Sequence, residues 1–317
     1  MSSSTPTPES SATSSTNSEV DWTLDGTWPH PPQWFEHEDG KMHYVDVGPR
    51  DAQPVVLVHG NPTWSYLYRR FIDALTENGY RAIAMDHLGF GRSEKPNQTK
   101  LYRVPRHGER CTALLEALDL TQATMVEQDW GGPIGLHWAA KHSDRVRGLA
   151  ILNTFVRRPH QKVKLPLPLK LFRTRGIGEL MVKGTNAFVN GLLFKAGLHD
   201  RTRLGPTEKA AYRAPHPRWS DRSAMLVFPR EIPSGPDGPV SDYVDEINKR
   251  LVPAFQDKPV LIAWPMQDIA FTPDILEEML IPDFPNAEVH RIEGAGHYIQ
   301  EDAHERVIPL LLSHLKQ

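Results

Sequence analysis

Residues 123–139, ATMVEQDWGGPIGLHWA, leave the chain few ways to fold. A short apolar strand runs into Gln128-Asp129-Trp130-Gly131-Gly132, and Pro133 then opens a helix. Glycines just after the central residue let a strand turn sharply into a helix, and that corner thrusts the central side chain out of the sheet. Here the side chain is a carboxylate. It cannot form the acyl-enzyme of a serine nucleophile; it attacks carbon and leaves an ester that water must open. Trp130 beside it brings an indole N–H, a donor with no acceptor role, suited to an anionic leaving group.

Two blocks of alternating strands and helices flank a middle of different character. In the first, roughly 35–152, PVVLVHG (54–60), YRAIAMDHLG (80–89), ATMVEQ (123–128) and VRGLAILN (146–153) are apolar runs ending in turn residues. Helical patterns such as YLYRRFIDALTENG and RHGERCTALLEALDL lie between them. PVLIAWPMQD (259–268) and AEVHRIEGAGH (287–297) resume the strands, and VIPLLLSHLK closes the chain as a helix. This alternation predicts a mostly parallel central sheet with helices on both faces. The middle, about 155–256, is rich in proline, ten of the chain's 28 falling between 159 and 239, with helical pieces expected around 177–198 and 241–256. It reads as a helical cap inserted between two halves of a sheet: 30–154 and 257–317 form the core, 155–256 the cap.

Three more loops follow strands. His59-Gly60-Asn61-Pro62 comes after an early one, Asp268 closes Trp264-Pro265-Met266-Gln267-Asp268, and His297 ends Glu293-Gly294-Ala295-Gly296-His297. Loops at the carboxyl ends of neighbouring parallel strands converge. Asp129 then serves as nucleophile and His297 as general base, its ordinary pKa near ~6.5 suiting that task. Asp268 orients the imidazole. The backbone N–H groups of Asn61 and Trp130 form an oxyanion hole, and their side chains aim two donors at one spot where an anion can rest. Each loop alone has a bland reading, as a turn or a helix cap; their joint order makes coincidence the weaker account.

Other chemistries fare worse. Asp86-His87-Leu88-Gly89-Phe90-Gly91-Arg92-Ser93 lacks the GK[ST] of a phosphate loop and reads as a structural turn. The 15 histidines include no HExxH and no Cys/His ligand spacing, so neither metal nor organic cofactor is expected. A formal net charge of −3 gives no case for nucleic acid. The single cysteine, Cys111, reads as a buried thiol, and a lone cysteine fits the cytoplasm. No apolar run is long enough to span a membrane. The Ser/Thr/Pro-rich residues 1–20 have no basic start or hydrophobic region and read as a disordered tail rather than a signal peptide. Lys162–Arg173 mixes basic and apolar residues; a cap helix leaning on the core is the expected reading, with a membrane or partner contact as the alternative.

The order nucleophile, acid, histidine is that of the α/β-hydrolases, and HGNPTWSYLYR with QDWGG resembles one branch of them, the haloalkane dehalogenases, over roughly 30–315. The resemblance implies the α/β-hydrolase fold, with Asn61 and Trp130 as halide-stabilising pair, Asp129 as nucleophile, His297 as base and Asp268 as acid. One large subfamily carries a glutamate after the strand ending at Ile151-Leu152-Asn153-Thr154. This chain has no acid there, and Asp268 makes it similar to the third subfamily. That subfamily also resembles β-lactone decarboxylases of olefin biosynthesis, a likeness that extends through Thr185-Asn186-Ala187-Phe188 and Ala211-Tyr212-Arg213-Ala214-Pro215. Epoxide hydrolases, a further alternative, usually lack the Asn–Trp pair and present two cap tyrosines. The implied partners are an apolar small-molecule substrate, water and halide, with homo-oligomerisation left open. Two residues depart from the pattern: Pro265 stands where a glycine is usual, with a shift of Asp268 as its expected effect, and Glu127 would place a carboxylate in the core, where it needs a partner.

Overall fold

The computed structural model describes residues 20–159, 164–233 and 235–317, so the expected tail falls outside it except for Val20. Eight strands form one sheet in the order β1-β2-β4-β3-β5-β6-β7-β8. These are β1 (Gln33–His37), β2 (Gly40–Val47), β3 (Pro54–Val58), β4 (Arg81–Met85), β5 (Ala123–Asp129), β6 (Val146–Thr154), β7 (Val260–Pro265) and β8 (Glu288–Ile292). From β4 through β8 all neighbours are parallel, and β1 and β2 add an antiparallel edge. β3 and β5 are buried at every position, as strands covered on both faces must be; β3 accordingly reads as an unbroken apolar run, while β5 carries polar side chains toward its site end.

Helix α1 (Arg69–Glu77) links β3 leftward to β4, whereas α3 (Gly131–Lys141) links β5 rightward to β6. Right-handed crossovers in opposite directions put these two helices on opposite faces. Helix α2 (Val104–Ala117) packs against α3. The order reverses between β3 and β5. Loops leaving adjacent strands part there, and the crevice between them is where such sheets bind ligands.

The inserted middle contributes α4 (Leu167–Arg173), two π-helical stretches (Glu179–Gly184 and Phe188–Ala196), α5 (Pro206–Arg213), α6 (Ser223–Glu231) and α7 (Ser241–Ala254). α7 packs against α3, and Tyr243 donates its hydroxyl to the Pro133 carbonyl at 3.0 Å. After β7 come α8 (Pro273–Ile275), a π-helical stretch (Leu276–Leu280) and α9 (Ile281–Asp283). After β8 come α10 (Ile299–Asp302) and α11 (His304–His314). Glu301 of α10 joins three parts of the molecule: Arg69 grips it at 2.6 and 2.8 Å, Arg70 at 2.7 Å, and Tyr212 of α5 donates at 2.5 Å.

Glu127 is fully buried with no hydrogen-bond partner on either carboxyl oxygen among the described residues. The partner expected for it is missing. Burial instead pushes its pKa well above 4.5, so the folded chain holds a neutral acid. The unfolded chain ionises it at neutral pH. Its share of stability is complete below about pH 4.5 and declines as pH rises toward the folded value. Glu127→Gln should therefore melt higher than the parent in mildly alkaline buffer, with the gap closing in acid. A parent that outlasts this variant at alkaline pH contradicts the assignment.

Candidate active site

Asp129 ends β5 at φ 53°, a left-handed conformation that costs a non-glycine residue roughly 1–2 kcal/mol. Close packing around the corner holds it. Thr154 Oγ1 donates to the Asp129 carbonyl at 2.5 Å, and a Cβ on Gly132 would fall 2.0 Å from that same hydroxyl. A Cβ on Gly131 would lie 2.1 Å from the Val58 carbonyl, and one on Gly60 would lie 2.3 Å from Asp129 Oδ2. The glycines of HGN and DWGG are thus required by the close approach of β3 and β6 to the corner that ends β5.

The Asn61 backbone N–H donates to Asp129 Oδ2 at 2.7 Å, and the Trp130 N–H also bonds the carboxylate. Oδ2 therefore sits where backbone donors could hold an oxyanion, and Oδ1 is the oxygen such an arrangement would leave to attack. His297 Nε2 stands 3.9 Å from Oδ1, too far for a hydrogen bond, and the Gln128 amide, which bonds the His297 carbonyl at 3.0 Å, reaches Nε2 only at 3.4 Å, a long contact that a water can displace. On its other side His297 Nδ1 donates to Asp268 Oδ2 at 2.9 Å, and Asp268 Oδ1 accepts from the Ala270 N–H at 2.7 Å. Pro265 does not displace the acid. It completes β7, pairing with Ile292, and lies upstream of the turn that aims Asp268.

Asn61 and Trp130 present their side chains at the floor of the same cavity as Asp129 and His297. The Asn61 amide gives one N–H to the Met225 carbonyl of α6 at 3.4 Å, which leaves the other for a ligand. The Trp130 indole is wedged edge-on between Phe155 and Phe228, with ring centroids at 5.3 and 5.6 Å. The cavity holds about 360 Å³ and is walled mainly by apolar side chains, among them Leu169, Phe188, Leu192 and Ile232 of the inserted middle. The two tyrosines of that middle spend their hydroxyls elsewhere, Tyr212 on Glu301 and Tyr243 on Pro133. Neither lines the cavity, so the tyrosine pair of epoxide opening is missing.

Several contributors carried no local signal. Asn153 donates to Asp268 Oδ2 and to the His297 carbonyl, both at 2.7 Å, tying acid and base to the end of β6. Gln128 holds the same carbonyl at 3.0 Å. Asp302 accepts from the Gly296 N–H at 2.8 Å, beside the histidine, and from His199 and Asp200 at 2.8 and 3.1 Å, so one carboxylate joins the histidine loop to the inserted middle. Beneath the Asn61 loop, His59 donates Nδ1–H to the Gly60 carbonyl, and His87 Nε2–H donates to the His59 carbonyl, both at 2.8 Å. Burial holds His59 down at about 4, so it is neutral. Asp86 is a structural turn residue, fully buried, accepting from the Ser65 and Arg92 N–H groups at 2.8 Å. Cys111 is a buried thiol that burial pushes up, not a nucleophile.

Asn153→Leu should leave the fold intact and lower kcat by about 10-fold or more, because two tethers on the acid and base are lost. Unchanged kcat with unchanged melting would contradict a positioning role.

A family model described as the alpha/beta hydrolase fold matches residues 53–304. The chain belongs to the α/β-hydrolase family. Among similar proteins is a cis-3-alkyl-4-alkyloxetan-2-one decarboxylase of Shewanella oneidensis, 35% identical over 90% of this chain and 88% of that one. A haloalkane dehalogenase of Mycobacterium marinum is 34% identical over 86% of this chain and 88% of its own. The crystal structure of haloalkane dehalogenase DbeA from Bradyrhizobium elkani superposes with a TM-score of 0.81 at 28% identity, covering 90% of this chain and 97% of that one.

In this α/β-hydrolase the electrostatics suit a carboxylate nucleophile. Burial pushes Asp129 up to about 6, against the opposing pull of His297 and the two backbone donors. Burial lowers His297, but the Asp268 charge and hydrogen bond outweigh it and leave the imidazole above 6.5. Asp268 is held below the ordinary range: burial raises it, and the His297 charge with its hydrogen bonds lowers it further than that. Attack needs Asp129 ionised. Ester formation should therefore fall as pH drops through about 6, the folded value of the nucleophile. Rapid-quench burst rates across pH test this, and a burst that keeps its rate well below that value would contradict it.

Proposed function

We propose that this protein is a haloalkane dehalogenase that works through an ester on Asp129. The observation that carries the reading is the placement of the Asn61 and Trp130 side chains with Asp129 at the floor of one apolar cavity. Oδ1 of Asp129 supplies an electron pair to the halogen-bearing carbon, and the halide departs with the carbon–halogen pair toward the amide and indole N–H groups. Water then attacks Cγ of Asp129 while His297 Nε2 takes its proton. The oxyanion forms on Oδ2 against the Asn61 and Trp130 backbone donors. Its collapse expels the alkoxide, which takes the proton from His297 and leaves as alcohol. Asp268 holds the imidazolium between the two transfers. No metal or organic cofactor enters any step.

A second reading is favoured by one observation: proteins named as oxetanone decarboxylases are as similar as the dehalogenases, at 35% and 32% identity. On that reading Asp129 attacks a β-lactone carbon, and loss of carbon dioxide yields an alkene. The division of labour also belongs to the proposal. Residues 30–154 and 257–317 form the hydrolase core and 155–256 the cap, whose side chains wall the cavity above the strand ends. The proposal extends to a cytoplasmic enzyme with an apolar small molecule, water and halide as its partners, and it admits a homo-oligomer. Among the described residues no helix is long and apolar enough to cross a membrane.

Parallel incubation with a long-chain bromoalkane and a cis-3,4-dialkyl β-lactone tests the reading. Bromide and alcohol from the first support it. Alkene from the second with no bromide from the first replaces it with the decarboxylase.

A further inference from the structure

Among the described residues, the exposed large apolar side chains other than Val20 and Trp34 lie on the inserted middle or at the cavity wall. Leu167, Ile177, Leu180, Trp219 and Ile269 are each between 46% and 66% exposed. Four of them lie on the inserted middle, and Ile269 lies at the wall of the substrate cavity. The first four are carried by adjoining elements. Gly178 lies so close to α4 that a Cβ there would sit 2.1 Å from the Phe172 carbonyl. A Cβ on Gly184 would rest 3.3 Å from the Trp219 ring and 3.4 Å from Leu180. α4 itself has two sides. Leu169, with Leu165 and Pro166 just ahead of the helix, lines the cavity, while Leu167 points away from it into solvent.

Charge on this face is one-sided. From Lys164 to Lys183 the chain carries Lys164, Lys170, Arg173, Arg175 and Lys183 against one acid, in a protein of formal net charge −3. That acid, Glu179, is paired with Arg230 at 2.8 Å. Arg173 turns inward to the Pro229 and Ile232 carbonyls, so Lys164, Lys170 and Arg175 are the exposed cations, with the half-buried Lys183 beside Trp219. The rest of the cavity wall carries Asp274 and Glu278, with Arg157 offset by its ion pair to Asp283 at 3.3 Å, so a negative surface is drawn to the α4 side.

We propose that this face docks on an anionic phospholipid surface, with Leu167, Ile177, Leu180 and Trp219 entering the interface and the lysines meeting lipid phosphates. Apolar side chains ringed by basic ones at a cavity entrance match the requirement for interfacial binding: buried apolar area plus attraction to anionic lipid. Docked in this way, the cavity opens toward the acyl region, where an apolar substrate partitions. Docking assumes nothing about the reaction; delivery of an apolar substrate rests on the function proposed above.

The full chain is floated with vesicles of phosphatidylcholine, with and without phosphatidylglycerol, at low and high salt. Binding is expected to the mixed vesicles and to weaken with salt. Lys170→Ala should lower the partition by about fivefold, and Leu167→Glu with Leu180→Glu should abolish it. Turnover of a short, water-soluble bromoalkane by that double variant should stay at the parent's rate, and loss of that turnover in both proteins would count against the function, not the docking. Absence of binding, or equal binding to neutral vesicles, overturns the proposal. So does a concentration-dependent dimer, without vesicle binding, that the same double variant breaks, which would assign the face to a second copy of the chain.

Discussion

His297→Phe should release about one equivalent of bromide per chain and then stop. Attack by Asp129 Oδ1 does not use the imidazole, which stands 3.9 Å away and outside hydrogen-bond range. Hydrolysis of the ester does use it, and phenylalanine puts no proton acceptor in its place. Multiple turnover should fall by about 10²–10⁴-fold, the usual worth of a general base. The alkyl group should remain on Asp129, visible as a mass increase of the intact protein. Full turnover by this variant would remove the histidine from the mechanism. Loss of the burst as well would mean that it serves the first step.

The second large effect separates the side chains of the halide pair from their backbones. Asn61→Leu or Trp130→Phe takes away one N–H aimed at the leaving anion, but neither touches the main-chain donors on the Asp129 carboxylate. The bond-breaking step should slow by about 10²-fold or more for each, the scale seen when one preorganised donor to a developing anion is removed. Hydrolysis of a preformed ester should stay close to its original rate. Stopped-flow bursts and single-turnover decay resolve the two steps. An equal slowing of both would show that the substitution disturbs the corner at Gly131 and Gly132 rather than the leaving group.

The parts of the site that could be read from the chain are those whose chemistry and geometry share a short segment. Asp129, Trp130 and the two glycines sit together because one corner needs all of them. Asn61 and Asp268 each follow an apolar run that became β3 or β7, and His297 ends the Gly-rich turn after β8. Long-range groups left no such trace. Asn153 meets His297 across 144 positions, and Asp302 meets His199 across 103. In each case an ordinary polar side chain serves a backbone group that only the fold brings near. The edge hairpin of β1 and β2 leaves no such trace either, since its partly buried, polar-interrupted strands lack the apolar runs of the central ones. Glu127 reads as an error in a core strand; only the pocket facing Gly135 of α3 shows how an uncharged acid fits there. The helical piece expected at 177–198 is there, but as two π-helical stretches at Glu179–Gly184 and Phe188–Ala196, a winding that propensity does not distinguish from α.

A single turnover of a bromoalkane in oxygen-18 water tests the nucleophile most directly. Asp129 should supply the oxygen of the product and take its replacement from water, so the alcohol is unlabelled and the peptide bearing Asp129 gains the heavy isotope. Labelled alcohol with an unlabelled Asp129 peptide would mean that water displaces the halide itself, and the ester mechanism would fall.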